Sequence, residues 1–208
     1  MSLRSRLFAQ VYDRLVLPSE QACVSDWRAQ LLAELSGVVL DVGAGTGANL
    51  PHFGPDVTRL IATEPERHMR RHLRDRIATD AVCPVELSDA AAERLPLPKH
   101  SVDAVVSTLV LCSVTDLDAA LAEYRRVLVP GGKLVFIEHV IAHDNPGRAR
   151  WQRRIEPVWK RLFGNCHLTR DTAAAIERAG FRFDQLQRQS MRKASPVVRP
   201  AIRGIATA

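Results

Sequence analysis

The sequence lacks long apolar runs, closely paired cysteines and an abundance of aromatic residues. No apolar stretch approaches the roughly 20 residues that cross a bilayer, and the first residues lack the apolar core and cleavage site of a secretory signal. The four cysteines are widely separated and form no C-x-x-C pair. A disulfide framework is therefore not expected, and the predicted location is the reducing cytoplasm.

The chain is basic, with 29 Lys plus Arg against 23 Asp plus Glu and a formal net charge of +6 over 208 residues. Nucleic-acid recognition commonly combines basic patches with interleaved aromatic residues. Aromatic residues make up only 5% of the chain and the arginines are spread along it, so no nucleic-acid partner is expected. The hydrophobic fraction of 46% suits one globular domain.

From residue 37 onward, apolar runs alternate with helical patterns. Strands are predicted at seven stretches: Val38–Val42, Val57–Thr63, Val82–Leu87, Val102–Thr108, Lys133–Glu138, Phe181–Gln187 and Ile202–Ala206. Helices are predicted at Glu66–Arg76, Leu117–Val129, Trp151–Arg161 and Thr169–Ala179, the last with Thr169 as its N-cap. Near-continuous apolar strands separated by helices are typical of a parallel sheet covered on both faces. We predict a doubly wound α/β domain with a mostly parallel, seven-stranded sheet and an antiparallel strand at one edge.

Two helices are predicted ahead of this sheet. Apolar residues recur at helical spacing in the first, at Leu3, Leu7, Phe8, Val11 and Leu15. Pro18 is expected to interrupt it, and a second helix is predicted over roughly residues 20–35. We predict that residues 1–36 form a helical cap that serves as a lid, and that 37–208 form the main domain. The arginines of the amphipathic first helix also suit peripheral contact with a membrane surface.

A glycine-rich turn follows the first predicted strand. Its candidate cofactor-binding residues are Asp41, Gly43, Gly45, Gly47 and Asn49, and glycine lets a ligand approach the backbone closely. Glu64 ends the second strand, where a carboxylate can accept hydrogen bonds from both hydroxyls of a ribose. These residues predict a nucleoside-containing cofactor. Their spacing fits both the dinucleotide fingerprint G-x-G-x-x-A and the D-x-G-x-G-x-G loop of S-adenosylmethionine-dependent methyltransferases.

Two observations favour the second interpretation. Only about 70 residues follow the fifth strand, too few for the second nucleotide-binding half of a dehydrogenase. The segment that begins at Ala92 and Glu93, and the Pro-Gly-Gly turn at residues 130–132, resemble class I, Rossmann-like methyltransferases. That resemblance implies S-adenosyl-L-methionine as cofactor and S-adenosyl-L-homocysteine as product. It also implies cofactor contacts at Ala92, Glu93 and, at the end of the fourth strand, Thr108.

The acceptor is expected beyond the carboxyl ends of the strands, where ligands bind in open α/β sheets. The Asn/Asp-Pro-Pro-aromatic motif of many N-methyltransferases is absent, and the Leu-Val-Leu run of residues 109–111 favours an apolar small molecule. His139 is the predicted base or orienting group. Cys112 is a second candidate catalytic residue, although a free cysteine is commonly a small buried hydrophobe. Weaker candidates are Glu138, Cys166 and His167.

Several distinctive stretches resemble the alkyl-thiol methyltransferases of the methyltransferase-like seven family. They are residues 108–114 (Thr-Leu-Val-Leu-Cys-Ser-Val), Glu138-His139-Val140, Cys166 with Leu168-Thr169-Arg170, and Val198-Arg199-Pro200. The resemblance implies S-methylation of a small apolar thiol. Methylation of oxygen or nitrogen on a quinone- or phospholipid-like molecule at a membrane surface stays open. The chain departs from the family at Glu64, where Asp is usual. Because the predicted first helix is amphipathic, the hydrophobic N-terminal anchor of the family's microsomal members is not expected to carry over.

No metal site is predicted. A site drawn from His139, His143, Cys166 and His167 would have loose ligand spacing.

Basic residues cluster around the insertion after the fifth strand, where they are expected to favour a thiolate or an anionic surface: Arg148, Arg150, Arg153, Arg154, Lys160, Arg161 and Arg170.

Overall fold

The computed structural model describes residues 14–208. Seven strands form one sheet in the order β3-β2-β1-β4-β5-β7-β6. Their bounds are β1 Gly37–Val42, β2 Val57–Thr63, β3 Val85–Ser88, β4 Val102–Thr108, β5 Leu128–His139, β6 Arg182–Ser190 and β7 Pro200–Thr207. Strands β1 to β5 pair in parallel, whereas β7 is antiparallel to β5 on one side and to β6 on the other. The predicted doubly wound, mostly parallel sheet closed by antiparallel pairing at one edge is confirmed.

Helices cover both faces of this sheet. They are α1 Ser25–Leu32, α2 Arg67–Asp80, α3 Leu117–Val127, α4 Pro146–Leu162 and α5 Thr172–Arg178. Residues 14–19 are also helical and continue into a π-helical turn at Glu20–Val24. An interruption was predicted at Pro18 because proline removes a backbone donor. This prediction is wrong, since the chain stays helical through Pro18. The predicted apolar positions from Leu3 to Val11 lie outside the described residues.

The apolar strands are buried on both sides. In β1, Leu40 belongs to one hydrophobic core and its neighbour Val39 to the other. The first core also contains side chains of α3 and α5, and the second contains side chains of α1 and α2. Because successive side chains of a strand point to opposite faces, a sheet with two cores needs continuous apolar strands. This explains why the strand runs in the sequence show no polar alternation.

Several predicted element boundaries are displaced by a few residues, and at two of them the structure shows the physical reason. Strand β5 begins at Leu128 and carries an irregularity in its pairing with β4, where its partner residues jump from Leu128 to Lys133. Gly131 has a φ of +78° within that bulge, which glycine tolerates. At α5 the N-cap is Asp171 instead of Thr169, because its carboxylate accepts a hydrogen bond from the Ala174 amide at 3.1 Å.

Helix α4 is the predicted insertion after the fifth strand. The buried Gln152 fixes one face, accepting a hydrogen bond from the Ala142 amide at 2.8 Å and donating to the Val140 carbonyl at 3.0 Å. Elsewhere on its surface the helix exposes Trp151, Val158 and Leu162. Within residues 14–208, no helix combines the length and apolar character needed to span a membrane.

Candidate cofactor site and thiol cluster

The glycine turn after β1 has the backbone conformation that its sequence predicts. Gly43, Gly45 and Gly47 have φ values of +59°, +59° and +92°. A Cβ added at Gly43 would lie 2.7 Å from a methyl group of Val110, and one at Gly47 would lie 2.8 Å from a methyl group of Leu50. Positions 43 and 47 therefore require glycine for both conformation and packing.

A buried polar network connects this turn to helix α1 and the π-helical turn before it. The Arg28 guanidinium donates to Asn49 Oδ1 and, at 2.7 Å, to Thr108 Oγ1. The Asn49 amide donates to Asp41 Oδ1 at 2.8 Å, and Glu20 pairs with Arg28 at 2.8 Å. The network brings together three residues predicted to bind cofactor, Asp41, Asn49 and Thr108.

Sequence reasoning missed Arg28. It is 4% exposed although arginine is rarely buried without a partner. The signal that could have found it is its position in the helix. Val24, Arg28, Leu31 and Leu35 are spaced by four, three and four residues, so the arginine occupies the apolar face of α1 and its surroundings.

Asp41 retains an unused acceptor at the turn. Its Oδ2 atom is buried and has no hydrogen-bond partner within residues 14–208. Burial raises the pKa of Asp41 to about 7, against the opposing effects of the Asn49 hydrogen bond and the Arg28 charge. Because buried acceptors are normally satisfied, this atom fits a donor group on a bound ligand.

Glu64 presents its carboxylate to the same turn. Its Oε2 accepts from the Gly45 amide at 2.9 Å and its Oε1 from the Glu66 amide at 2.8 Å. Burial raises the pKa of Glu64, while these backbone hydrogen bonds oppose the rise. Each carboxylate oxygen has a further lone pair. The Glu64 carboxylate can therefore still accept hydrogen bonds from two ribose hydroxyls. Together with the Asp41 acceptor and the glycine turn, it fits a bound nucleoside.

Ala92 and Glu93 have structural contacts of their own. Ala92 is buried in the core shared with α3. Glu93 Oε1 accepts from the backbone amides of Thr115 and Asp116, at 2.6 and 3.3 Å, just before α3. Cofactor contact at these two positions stays a prediction.

Glu138, at the end of β5, organises the loop that follows β4. Its carboxylate accepts from the amides of Val110 and Leu111, both at 2.9 Å, and of Cys112 at 3.2 Å. Burial raises the pKa of Glu138 to about 7, and the amide hydrogen bonds oppose this effect. Both carboxylate oxygens thus serve backbone donors, which makes Glu138 a positioning residue instead of a free base.

Beside it lie three residues that we name the thiol cluster: Cys112, His139 and Cys166. The His139 Nε2 atom is 3.0 Å from Cys166 Sγ, and the ligand atoms of all three residues lie within 4.8 Å of one another. Cys112 and His139 are 2% and 4% exposed. The structure therefore unites both predicted catalytic residues with Cys166, one of the weaker candidates.

Protonation within the thiol cluster is uneven. The neighbouring Cys112 thiol, and hydrogen bonds from His139 and Trp159, lower the pKa of Cys166, while burial opposes them. Burial would lower the pKa of His139, but the contact with Cys166 raises it overall. The remaining ring atom, His139 Nδ1, is buried without a partner within residues 14–208.

The other histidines of the predicted set lie apart from this cluster. His143 pairs with Asp171 at 2.8 Å, and His167 pairs with Glu156 at 3.3 Å. The backbone of His167 still contributes, because its amide donates to the Cys112 carbonyl at 2.8 Å.

A glycine turn after β1 and an acid after β2, in a sheet of this strand order, define a class I S-adenosylmethionine-dependent methyltransferase. Residues 40–136 match the family model described as a methyltransferase domain. Thiol S-methyltransferase TMT1A of Homo sapiens is 39% identical over 170 residues, which span 81% of this chain and 69% of that protein. The chain belongs to this family of thiol S-methyltransferases.

Two other proteins are similar over different extents. The ubiquinone/menaquinone biosynthesis C-methyltransferase UbiE of Cupriavidus metallidurans is 41% identical over 105 residues, 48% of this chain and 42% of that protein. A SAM-dependent methyltransferase structure from Thermotoga maritima has a TM-score of 0.69 and 23% identity, covering 97% of this chain and 96% of that one. At this identity, the structural likeness concerns the fold.

Proposed function

We propose that this protein transfers the methyl group of S-adenosyl-L-methionine to the sulfur of a small apolar thiol. The 39% identity to a thiol S-methyltransferase over 81% of the chain carries the proposal. Leu109 and Val110, which follow β4 and are only partly buried, support an apolar acceptor, because they lie beyond the carboxyl end of the strand, where ligands of such folds bind.

Asp41, Glu64 and the glycine turn are proposed to hold the nucleoside part of the cofactor. When bound, S-adenosyl-L-methionine supplies an electrophilic methyl group on a positively charged sulfur. The protein's main task is then to hold the acceptor sulfur at attacking distance and as its thiolate, which is the nucleophilic form.

His139 and Cys112 are the proposed catalytic residues. Because His139 Nε2 already contacts Cys166 Sγ at 3.0 Å, we propose that the histidine acts together with both cysteines and not as an isolated base. The buried positions of Cys112 and His139 would keep water from a bound thiol.

A second candidate function is methylation of a quinone- or phospholipid-like acceptor. The similarity of 105 residues to a quinone-biosynthesis C-methyltransferase favours a quinone-like ring over a phospholipid headgroup. Such an acceptor would need a stronger base than a thiol does, since a phenol has a pKa near 10.

The two functions are separated by label transfer from methyl-tritiated cofactor. We expect alkyl and aryl thiols to be labelled, and quinols and phosphatidylethanolamine to remain unlabelled. The matched control for each thiol is its oxygen analogue, which has the same carbon skeleton. Labelling of quinols without labelling of thiols would transfer the assignment to the second function.

We also propose that the protein acts in the cytoplasm and can contact a membrane peripherally through its N-terminal helix. The four free cysteines support a reducing compartment. Leu15 and Leu17 support the contact, because both apolar side chains are exposed. Co-sedimentation with anionic vesicles should weaken when both are replaced by Ser, whereas Val82→Ser, at another exposed apolar site, should have no effect.

A further inference from the structure

The thiol cluster has the geometry of an incomplete tetrahedral metal site. In tetrahedral zinc sites with bonds of about 2.3 Å to sulfur and 2.0 Å to nitrogen, the ligand atoms are roughly 3.4 to 3.8 Å apart. The three ligand atoms of Cys112, His139 and Cys166 lie within 4.8 Å of one another, and one pair is already at 3.0 Å. Shifts of about an ångström or less would place them around one cation.

Two of the ligands, Cys112 and Cys166, lie on separate loops that the surrounding protein holds, and His139 is the last residue of β5. Cys112 is held on both sides, because its amide donates to Glu138 and its carbonyl accepts from the His167 amide. Next to Cys166, the Asn165 side chain donates to the Ser113 carbonyl at 3.0 Å. The Arg170 side chain donates to the Val114 carbonyl at 2.7 Å. The loop that carries Cys166 is thereby fastened to the loop that carries Cys112.

The number and kind of ligands select the cation. Two thiolates and one imidazole favour a soft or borderline cation such as Zn²⁺ over Mg²⁺ or Ca²⁺, which prefer oxygen. Within residues 14–208, no fourth His, Cys, Asp or Glu joins the group. Three protein ligands with one open position are characteristic of catalytic zinc sites.

We propose that Cys112, His139 and Cys166 form a site for a zinc-class cation whose open position binds the sulfur of the acceptor thiol. This inference rests on the proposed function and departs from the expectation of no metal drawn from the sequence. His139 acts in it as a ligand through Nε2, and the proton of the neutral ring resides on Nδ1. The Trp159 indole N–H, 3.3 Å from Cys166 Sγ, supports that sulfur.

The cation would activate the acceptor without a separate base. When the thiol binds, its S–H bond breaks, the proton leaves to solvent and a sulfur–metal bond forms, because coordinated thiols are deprotonated. When this thiolate attacks the cofactor's methyl group, a carbon–sulfur bond forms, the methyl–sulfonium bond breaks and S-adenosyl-L-homocysteine leaves, so the acceptor sulfur becomes a neutral thioether. It binds the cation more weakly than the thiolate does, which favours product release.

The first experiment measures the metal site without any reaction. The full chain, reduced with a phosphine and stripped of metal, is titrated with Co²⁺, and the sulfur-to-cobalt charge-transfer absorption is recorded. We expect saturation at one equivalent and displacement of Co²⁺ by Zn²⁺. Cys112→Ser and Cys166→Ser should each weaken Co²⁺ binding by more than roughly 10- to 100-fold, which is the loss expected when only a hydrogen-bond partner of a metal ligand is removed.

The matched control is Cys83→Ser, which removes a half-buried thiol outside the cluster and should leave the titration unchanged. Circular dichroism of each variant checks that it folds. A titration of the wild-type chain against a competing chelator measures the metal affinity without relying on any variant. Absence of the absorption band in the reduced wild-type chain overturns the site. A disulfide between Cys112 and Cys166 in place of metal binding also overturns it.

The second experiment separates the metal site from the proposed function. Thiol labelling is compared in metal-stripped and zinc-loaded enzyme, and we expect at least a tenfold gain on loading. A cobalt site without labelling of any thiol would contradict the proposed function alone. Thiol labelling at full rate in metal-stripped enzyme would contradict the role of the cation alone.

Discussion

The cofactor turn and the thiol cluster lie at the same edge of the sheet but are built in opposite ways. Asp41, the three turn glycines and Asn49 come from nine consecutive residues, and oxygen and nitrogen groups hold them. Cys112 and Cys166 come from two loops and His139 from the end of β5, each 27 positions from the next, and they meet through sulfur. Within residues 14–208, each region has one buried polar atom without a partner, Asp41 Oδ2 in the first and His139 Nδ1 in the second. In the cofactor turn the free acceptor indicates where a donor group of a ligand belongs, whereas the proposed cation of the thiol cluster is bound through His139 Nε2 and the two sulfurs.

The greatest loss is expected from Arg28→Ala, which tests whether the cofactor turn depends on helix α1. The change leaves Glu20 and the Asn49–Thr108 pair without their buried cation. Unfolding free energy should fall by about 3 to 5 kcal/mol, as for other broken buried ion pairs. Chemical denaturation measures it, with the exposed Arg71→Ala as control. Equal losses in both variants would show that Arg28 is not a structural link.

A pH series examines the buried carboxylate of the same region. The pKa of Asp41 is raised from 3.8 to about 7, so the folded state binds the proton more tightly than the unfolded state. Its contribution to stability is present at low pH and is lost as the pH rises from about 4 to about 7. That loss amounts to at most about 4 kcal/mol. Asp41→Asn should flatten this slope of unfolding free energy against pH. Parallel curves for the wild-type and variant proteins would show that Asp41 does not cause the pH dependence.

Glu138→Gln perturbs the support of the thiol cluster and leaves the cofactor turn intact. The amide keeps one acceptor but loses the charge that three backbone N–H groups share. We expect a loss of about 2 kcal/mol in unfolding free energy, the range for hydrogen bonds to charged groups. Affinity for S-adenosyl-L-methionine, measured by calorimetry, should be unchanged. Glu86→Gln removes an exposed carboxylate paired with Arg59 and should produce no measurable change. If cofactor affinity also falls, the two regions are coupled.

A smaller change, confined to binding, is expected for Glu64→Ala. Loss of the carboxylate removes the acceptors for the ribose hydroxyls and should reduce cofactor affinity by about 10-fold or more, equivalent to about 1.4 kcal/mol. Calorimetric titration measures it, and Glu64→Asp, the shorter acid, should recover most of the affinity. Unchanged affinity in Glu64→Ala would remove this residue from the site.

The two regions also differ in how far the sequence could predict them. The cofactor turn was predictable because local backbone geometry requires glycine at positions 43 and 47, and because Glu64 follows directly from a buried strand. Arg28 was overlooked: its place in an apolar helical stripe indicates burial, but its partners Asn49 and Thr108 are distant in sequence and become known only from the fold. The separation of residues 1–36 from 37–208 stays a prediction, and α1 packs through Trp27 and Leu31 against the same core as the sheet.

The sheet, the glycine turn and its acid could be predicted from the sequence alone. These features depend on apolar runs and on conformations that neighbouring residues impose. The shared site of Cys112, His139 and Cys166, and the role of Glu138 in holding the loop beside them, became visible only in three dimensions. The spacing of 27 residues between members of the cluster carries no local signal. Their proximity arises because parallel strands β4 and β5 end at the same edge and the connection between α4 and α5 folds back over it.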